Sequence, residues 1–255
     1  MNPILQDVSI ALGLLVVLMI ALESGYQAGR RSASVADGPA GGQVGAIQGA
    51  ILGLLALLLG FSFAGAATRF MERQDLIVRE ANAIGTAYLR ADLLDEPHRA
   101  ELQAALRRYT HDRIEPSARL RYGIDEAELA KFELHHAQIW SAATTGIDAR
   151  PASTLAVLNP VNDVIDLHST RMAAGRKHLP MLVIGLLIAC SLLAIGIIGY
   201  GCGLSGRRRA PLTVSLSILI GTALWTTIDL DHPRAGLMQL SDAPLGALRF
   251  EAPAG

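Results

Sequence analysis

One stretch decides the architecture: GFSFAGAATRFMERQDLIVREANAIG, residues Gly60 to Gly85, which passes from an apolar sequence into a charged one. From Arg69 onward it contains no glycine or proline until Gly85. Apolar residues of the charged half recur at the spacing of one helix face: Phe70, Ile77, Ala81, Ile84 and Tyr88. This pattern predicts an unbroken helix that begins in lipid and continues in water, as an amphipathic helix, to about Leu94.

The composition excludes an ordinary soluble domain. Of the 255 residues, 51% are hydrophobic and only 18% are charged. The net charge of −1 gives no overall attraction to nucleic acid, so we expect no nucleic-acid partner. The two cysteines, Cys190 and Cys202, lie in one apolar run at a spacing that suits no metal site. We expect both to be small buried side chains, and we expect no cofactor.

Four segments approach or reach the length of about 20 apolar residues that a spanning helix needs. They are Val8–Leu22, Val44–Thr68, Leu179–Ser205 and Ala210–Ile228. The first lacks the basic start and the cleavage site of a signal peptide, so we interpret it as an uncleaved span. Short connections join the spans in two pairs, and one long segment separates the pairs. The lipid bilayer is therefore the expected surroundings of about a third of the chain.

The predicted fold is all-α: a multi-pass membrane protein with four transmembrane helices in two hairpins and a helical soluble insert continuous with the second and third spans. The domain boundaries follow: residues 1–68 form the first hairpin, 69–178 the insert, 179–229 the second hairpin, and 230–255 a tail. Within the insert, new helices are expected at Pro97, after Asp125 and from about Ser153. Pro160 is expected to bend or break the last of these helices.

Three glycines of the second span, Gly45, Gly49 and Gly53, recur at every fourth residue. Such a stripe lets another helix approach closely. The approach of a helix of the same chain and that of a second subunit are equally compatible with the pattern. Gln48, beside the stripe, is expected to form a hydrogen bond between helices.

The sequence offers little chemistry. Seven histidines are present, but His135 and His136 are adjacent and point about 100° apart on a helix. His98, His111 and His168 have no partner three or four residues away that completes a metal site. Phosphate-binding loops, nucleophile elbows and cysteine–histidine pairs are absent from the sequence. We therefore expect no metal site and no enzymatic activity.

Two polar clusters stand apart from the apolar pattern. Arg79–Asn82 is either an exposed helix face or, if Asn82 joins the apolar face, a buried group that fixes the helix register. Asp229–Gly236 follows the fourth span, where buried aspartates are costly and often functional. Its other interpretation is an interfacial turn in which Arg234 pairs with an aspartate.

These motifs carry a family resemblance. Around the opening stretch, bestrophins have a pattern close to L-G-F-R-T-N-x-A-Y-x-R-W-W-E, and the residues that match it here are Leu59, Gly60, Phe61, Ala66, Arg69, Phe70 and Glu72. The chain also resembles a bacterial bestrophin-like family through Glu80–Arg90 and Asp229–Gly236. The polar residues of these motifs are Arg69, Glu72, Glu80, Asn82, Arg90, Asp229, Asp231 and Arg234. Ser62, Ala64 and Met71 depart from the bestrophin pattern.

The resemblance implies an anion channel, assembled as a pentamer, whose second spans line the pore. An apolar neck would gate by dewetting, and the residues that the resemblance offers for it are Phe61 and Phe63. It further implies a bacterial inner membrane and a cytoplasmic insert. Arginines in the short loops favour the opposite orientation. The alternative function is a non-conducting scaffold or sensor whose insert binds a partner or ligand.

Overall fold

A computed structural model describes residues 3–33, 40–114, 126–149, 151–233 and 236–250. This part of the chain is helical and contains no strand, as predicted. Its α-helices are α1 (Pro3–Ala33), α2 (Ala40–Arg90), α3 (His98–Ile114), α4 (Glu126–Ala149), α5 (Thr154–Gly175), α6 (Met181–Leu204), α7 (Ala210–Asp231) and α8 (Ala243–Gly246). Four of them, α1, α2, α6 and α7, are long and apolar enough to cross a membrane, and they coincide with the four predicted spans.

The second span continues without interruption into the charged sequence. Helix α2 has 51 residues and is therefore about 75 Å long. It ends at Arg90, and one 3-10 turn, Ala91–Leu93, carries the chain to the predicted end near Leu94. As the absence of glycine and proline directly after Arg69 predicts, the helix is not interrupted there.

The chain divides into two compact units. The span unit comprises Met1–Arg69 and His178–Met238, and the insert unit comprises Phe70–Lys177 and Gln239–Gly255. Residues 230–238 thus lie in the span unit and residues 239–250 in the insert unit.

In the span unit, α1 packs extensively on α6, and the pairing of α1 with α2 stays a prediction. Glycines make this close packing possible. A Cβ atom at Gly25 would lie 2.0 Å from the carbonyl oxygen of Gly196, and one at Gly199 would lie 2.1 Å from that of Leu22. Gly29 and Gly203 face backbone oxygens at similar distances. The stripe of glycines predicted on the second span is a different one.

The insert unit has its own apolar core, formed by the last part of α2 with α3, α4, α5 and α8. Its fully buried side chains include Ile84, Leu102, Leu106, Ile139 and Val161. Pro160 does not break α5, contrary to one of the two expected outcomes. Proline has no N–H to donate to the carbonyl four residues earlier, which is that of Ala156. Arg90 Nη1 donates to this carbonyl at 3.0 Å and so replaces the missing hydrogen bond.

The glycine contacts of α1 with α6 predict an asymmetry between two alanine substitutions. Gly199→Ala should destabilise the detergent-solubilised protein by about 1–3 kcal/mol, because its new methyl group meets a backbone oxygen that cannot move aside. Gly13→Ala is the control, since no atom of the described residues lies within 4 Å of a Cβ at Gly13. Thermal unfolding measures both, and equal midpoints for the two variants would contradict the packing.

The contact between Arg90 and Ala156 predicts an energetic coupling. Arg90→Ala should destabilise the insert unit by about 1 kcal/mol, because one backbone acceptor loses its donor. In a Pro160→Ala background the restored N–H satisfies this acceptor, so the loss on Arg90→Ala should shrink. A double-mutant cycle of thermal stability measures the difference. Additive effects of the two substitutions would show that Arg90 does not compensate for the proline.

Candidate pore segment and buried polar centres

Helix α2 packs within the span unit through one face only. Leu55, Ser62 and Ala66 are buried on this face, and half-buried leucines flank them. Their spacing of about 3.6 residues keeps them on one side of the helix. The other side is exposed in the single chain from Ala46 to Thr68.

A stripe along the exposed side of α2 consists mainly of small residues: Ala46, Ala50, Gly53, Leu57, Gly60, Ala64 and Thr68. The large exposed residues Ile47, Leu54 and Phe61 border it. Large aliphatic side chains are frequent at the exposed positions of the other spans, such as Val16, Ile20 and Leu182, each more than half exposed. Lipid chains suit large aliphatic side chains, whereas small residues suit the close approach of another helix. The composition of α2 therefore differs from that of a lipid-facing surface.

The two predicted neck residues do not lie on the same side of α2. Phe61 is 70% exposed and borders the small-residue side, and Phe63 is 42% exposed. Two residues along a helix correspond to a rotation of about 200°, so these rings point in nearly opposite directions. Only one of them can line a given pore, and Phe61 is the better placed.

The predicted packing glycines Gly45, Gly49 and Gly53 have no neighbours in the described part of the chain. No atom of it lies within 4 Å of a Cβ atom built on any of the three. Packing within one chain is thus not what they provide here, and packing between subunits stays a prediction. The amide of Gln48 likewise has no hydrogen-bond partner among the described residues.

Two residues of the family motifs meet at the end of the span unit. Arg69 donates from Nε and Nη2 to Asp231 Oδ1, at 3.0 and 2.9 Å. The backbone N–H of Leu179 donates to Asp231 Oδ2 at 2.8 Å. The carboxylate, fully buried, therefore joins α2 to the end of α7 and to the residues before α6. The sequence named Arg69 and Asp231 but did not predict that they pair.

Asp229 holds the turn that follows α7. Its two carboxylate oxygens accept hydrogen bonds from the backbone N–H groups of Leu237 and Met238, both at 2.9 Å. A Cβ at Gly236 would lie 1.8 Å from Asp229 Oδ1, so this motif position requires glycine. The arrangement is that of a turn closed by a carboxylate. Arg234, the predicted partner of an aspartate here, lies outside the described residues.

One group of side chains has metal-like spacing. Ligand atoms of His178, Asp231 and His232 lie within 4.8 Å of one another. However, both imidazole Nδ1 atoms hydrogen-bond to backbone carbonyls, and the two rings stack nearly parallel, with an interplanar angle of 10°. Both carboxylate oxygens of Asp231 are also engaged. These contacts join the residues before α6 to the end of α7, and the absence of a metal site stays a prediction.

The insert unit contains a buried ionic centre around Glu80, which has no exposed surface. Arg113 Nε donates to Glu80 Oε1 at 3.0 Å, Tyr109 Oη donates to it at 2.5 Å, and Arg171 pairs with Oε2. Burial alone would raise the pKa of Glu80, but the charges of Arg113 and Arg171, with the hydrogen bonds, lower it to about 2. Burial and the Glu80 carboxylate raise the pKa of Tyr109. Three helices, α2, α3 and α5, thereby share one charge-assisted network.

Sequence reasoning named Glu80 but missed its partners. A signal was present, since Arg113 lies four residues after Tyr109 on a face that Leu102 and Leu106 begin. Arg73 was also missed: it is buried and donates to the carbonyls of Ala174 and Lys177, at the end of α5. Arginine is rarely buried without partners, and partners this distant in sequence are not visible in a local pattern.

The other predicted residues of α2 are exposed. Glu72 and Arg90 face solvent, although Arg90 contacts α5 as described. Asn82 is also exposed, so its predicted place on the apolar face was wrong. The reason is geometric: Asn82 lies five residues from Ile77, about 140° around the helix, while Glu80 lies within about 60° of it.

Histidines and aromatic rings surround the ionic centre. The rings of His136 and His168 lie 4.6 Å apart, and Phe132 lies 5.0 Å from His168. Burial, followed by the charge of Arg113, lowers the pKa of His136 and lowers that of His168 to about 3. Both imidazoles are therefore neutral at physiological pH. The ionic centre around Glu80 therefore holds α2, α3 and α5 in a fixed arrangement.

These pKa shifts predict acid sensitivity. Lowered pKa values of His136 and His168 mean that the unfolded chain binds more protons below the ordinary histidine value of 6.5. Stability should therefore fall as the pH drops below about 6.5, and fall further between about 4.5 and 2, where Glu80 is protonated only on unfolding. Thermal unfolding from pH 8 to pH 4 measures the effect.

His168→Phe removes one of the two groups and should flatten the slope between pH 6.5 and 5. The control is His111→Gln, because the His111 side chain is 73% exposed. The same slope in His168→Phe as in the unaltered protein would contradict the assignment.

The chain is similar to one protein family over most of its length. The bestrophin-like domain matches residues 15–245, which include α2, the Glu80 centre and both motif aspartates. No curated protein matches the chain, and no solved structure does. Since the match covers most of the 255 residues, the chain belongs to the bestrophin-like family.

Proposed function

We propose that this protein is an oligomeric ion channel of bestrophin-like type in which copies of α2 surround a central pore. The observation that carries the proposal is the exposed side of α2. It is apolar, free in the single chain and built mainly from small residues, with Phe61 at its border. A helix that contacts its own copies and lines a pore needs such a side.

The pore would be gated at an apolar constriction. No charged residue lies between Val44 and Thr68, so the span offers no ring of charge for ions to bind. A ring of Phe61 side chains would close by excluding water, and small outward movements of α2 would admit it. The preference for anions rests on the resemblance to bestrophins.

The ion pair between Arg69 and Asp231 would hold one end of the apolar part of α2 in place during such movements. Arg69 directly follows the apolar part of α2, and its two hydrogen bonds to the buried carboxylate tie this point to α6 and α7. Any displacement of α2 within the span unit would therefore occur in the residues that precede Arg69. The proposal further places the protein in a bacterial inner membrane, with the insert in the cytoplasm, as a pentamer, without a cofactor and without enzymatic activity.

The alternative is a non-conducting scaffold or sensor. It is favoured by large apolar side chains that the insert unit leaves open, since Leu89 is 68% and Leu155 is 75% exposed. A protein partner would cover such residues. The oligomeric state separates the two functions, because a monomer or a simple dimer cannot enclose a central pore.

Reconstitution into planar bilayers tests conduction. We expect unitary currents, and we expect Phe61→Ala to raise the unitary conductance or the open probability, because a smaller side chain widens and wets the neck. Phe63→Ala is the matched control, an exposed phenylalanine two residues away on the other side of α2. Silent bilayers that contain folded oligomer would contradict the proposal, as would equal effects of the two substitutions.

Assembly through the small-residue side predicts a second outcome. Gly53→Leu should reduce the fraction of oligomer in detergent, since a large side chain keeps neighbouring helices apart. Gly13→Leu should leave assembly intact, because Gly13 is equally open but lies on α1 among large aliphatic residues. Mass measurement of the detergent complex distinguishes the cases. An unchanged oligomer in Gly53→Leu would place the contact elsewhere.

A further inference from the structure

We propose that the span unit holds a binding site for one anionic phospholipid in a cleft between α2, α6 and α7. The cleft has a volume of about 610 Å³, within the range of roughly 300–1,000 Å³ that small-molecule sites occupy. Its lining includes Ser205, which follows α6, and Arg209, which precedes α7, and we call this end of the cleft its opening. The proposal is independent of whether the protein conducts ions.

The opening of the cleft carries an uncompensated positive charge. Of the three consecutive arginines there, Arg208 is already engaged, since it pairs with Glu23 at 3.0 Å and stacks on Tyr26 at 4.2 Å. Within the described residues, no acidic side chain pairs with Arg209 or with Arg207. Only Arg209 of these two lines the cleft. Its guanidinium matches the geometry of a phosphodiester, and the start of the 22-residue α7 adds the positive end of a helix dipole.

The middle of the cleft contains an amide that lacks a partner. Gln48 is half-buried in an otherwise apolar span, and its side chain forms no hydrogen bond within the described part of the chain. Its Oε1 lies 3.9 Å from the Cβ position of Gly201, which places it where α6 approaches α2. An amide without a partner is costly in an apolar environment. An ester carbonyl of a phospholipid would accept a hydrogen bond from it.

The deep part of the cleft is apolar. Leu52 lies one turn beyond Gln48 on α2, Leu216 lies nearly two turns beyond Arg209 on α7, and Ile198 faces them from α6. From the opening inward, the lining thus changes from a guanidinium to an amide to aliphatic side chains. A phospholipid has the same order of phosphate, ester and acyl chain. A free phosphate would use only the first element, and a second copy of the chain would leave the arginine without a counter-charge.

The test uses the full-length, tag-free protein in a neutral detergent, with dioleoylphosphatidylglycerol as the probe. Dioleoylphosphatidylcholine supplies the same chains with a zwitterionic headgroup, and inorganic phosphate supplies the anion alone. Retention of lipid in native mass spectrometry and the thermal midpoint are the two readouts. Phosphatidylglycerol should be retained at about one molecule per chain and raise the midpoint. The zwitterionic lipid and inorganic phosphate should do neither.

Arg209→Gln should weaken the binding of phosphatidylglycerol at least about tenfold, because a charge-assisted hydrogen bond is lost. Gln48→Leu, which replaces the amide by an apolar side chain of similar size, should also weaken the binding of phosphatidylglycerol. Arg207→Gln is the matched control, since it removes the same charge from the same loop outside the cleft. Arg209→Lys should restore part of the affinity, which separates loss of the site from loss of the fold.

Three results would overturn the proposal. Equal losses in Arg207→Gln and Arg209→Gln would mean that the lipid responds to the surface charge of the loop. Equal retention of both lipids would mean that no headgroup is recognised. A change of oligomeric state in Gln48→Leu, without loss of lipid, would mean that a second copy of the chain fills the cleft.

Discussion

A helix in a bilayer must satisfy its backbone hydrogen bonds within itself, and this constraint governs α2. Its apolar part contains no residue that interrupts the hydrogen-bonding pattern, and neither does the charged part that follows. One helix therefore supplies residues to both units of the chain. In the span unit it is anchored by Arg69 on the buried Asp231, and in the insert unit by Glu80 on two arginines and a tyrosine.

The two anchors use the same chemistry in different surroundings. Each places a carboxylate without exposed surface against at least one guanidinium group, and each has one further donor: the Leu179 N–H donates to Asp231 Oδ2, and Tyr109 Oη donates to Glu80 Oε1. Removing one partner of such a pair is costly because the remaining charge stays buried, so each anchor tolerates little change. Three residues of the family motifs, Arg69, Glu80 and Asp231, thus hold structural contacts.

Helix positions could be predicted from the sequence because apolar periodicity and the absence of turn residues act locally. The spans, the length of α2 and the helical insert follow from them. Pairing could not be predicted in the same way, because Glu80 is 91 residues from Arg171 and Arg69 is 162 residues from Asp231. The regular glycine stripe of α2 is the stronger sequence signal, although the glycines of α1 and α6 are the ones that pack two helices of the chain together. Spacing alone does not reveal which stripe meets a backbone. Asn82 lies close to the apolar residues in sequence but about 140° from Ile77 around the helix, so its exposure does not follow from sequence proximity.

Cysteine accessibility at Phe61 tests the central claim, that α2 lines a water-filled pore, most directly. Phe61→Cys would be made in a background of Cys190→Ser and Cys202→Ser, and a small charged thiol reagent would be applied during bilayer recording. If the account is right, the reagent reduces the current through Phe61→Cys and leaves the current through Phe63→Cys unchanged. Currents that persist unmodified in Phe61→Cys after complete labelling of the cysteine would contradict it.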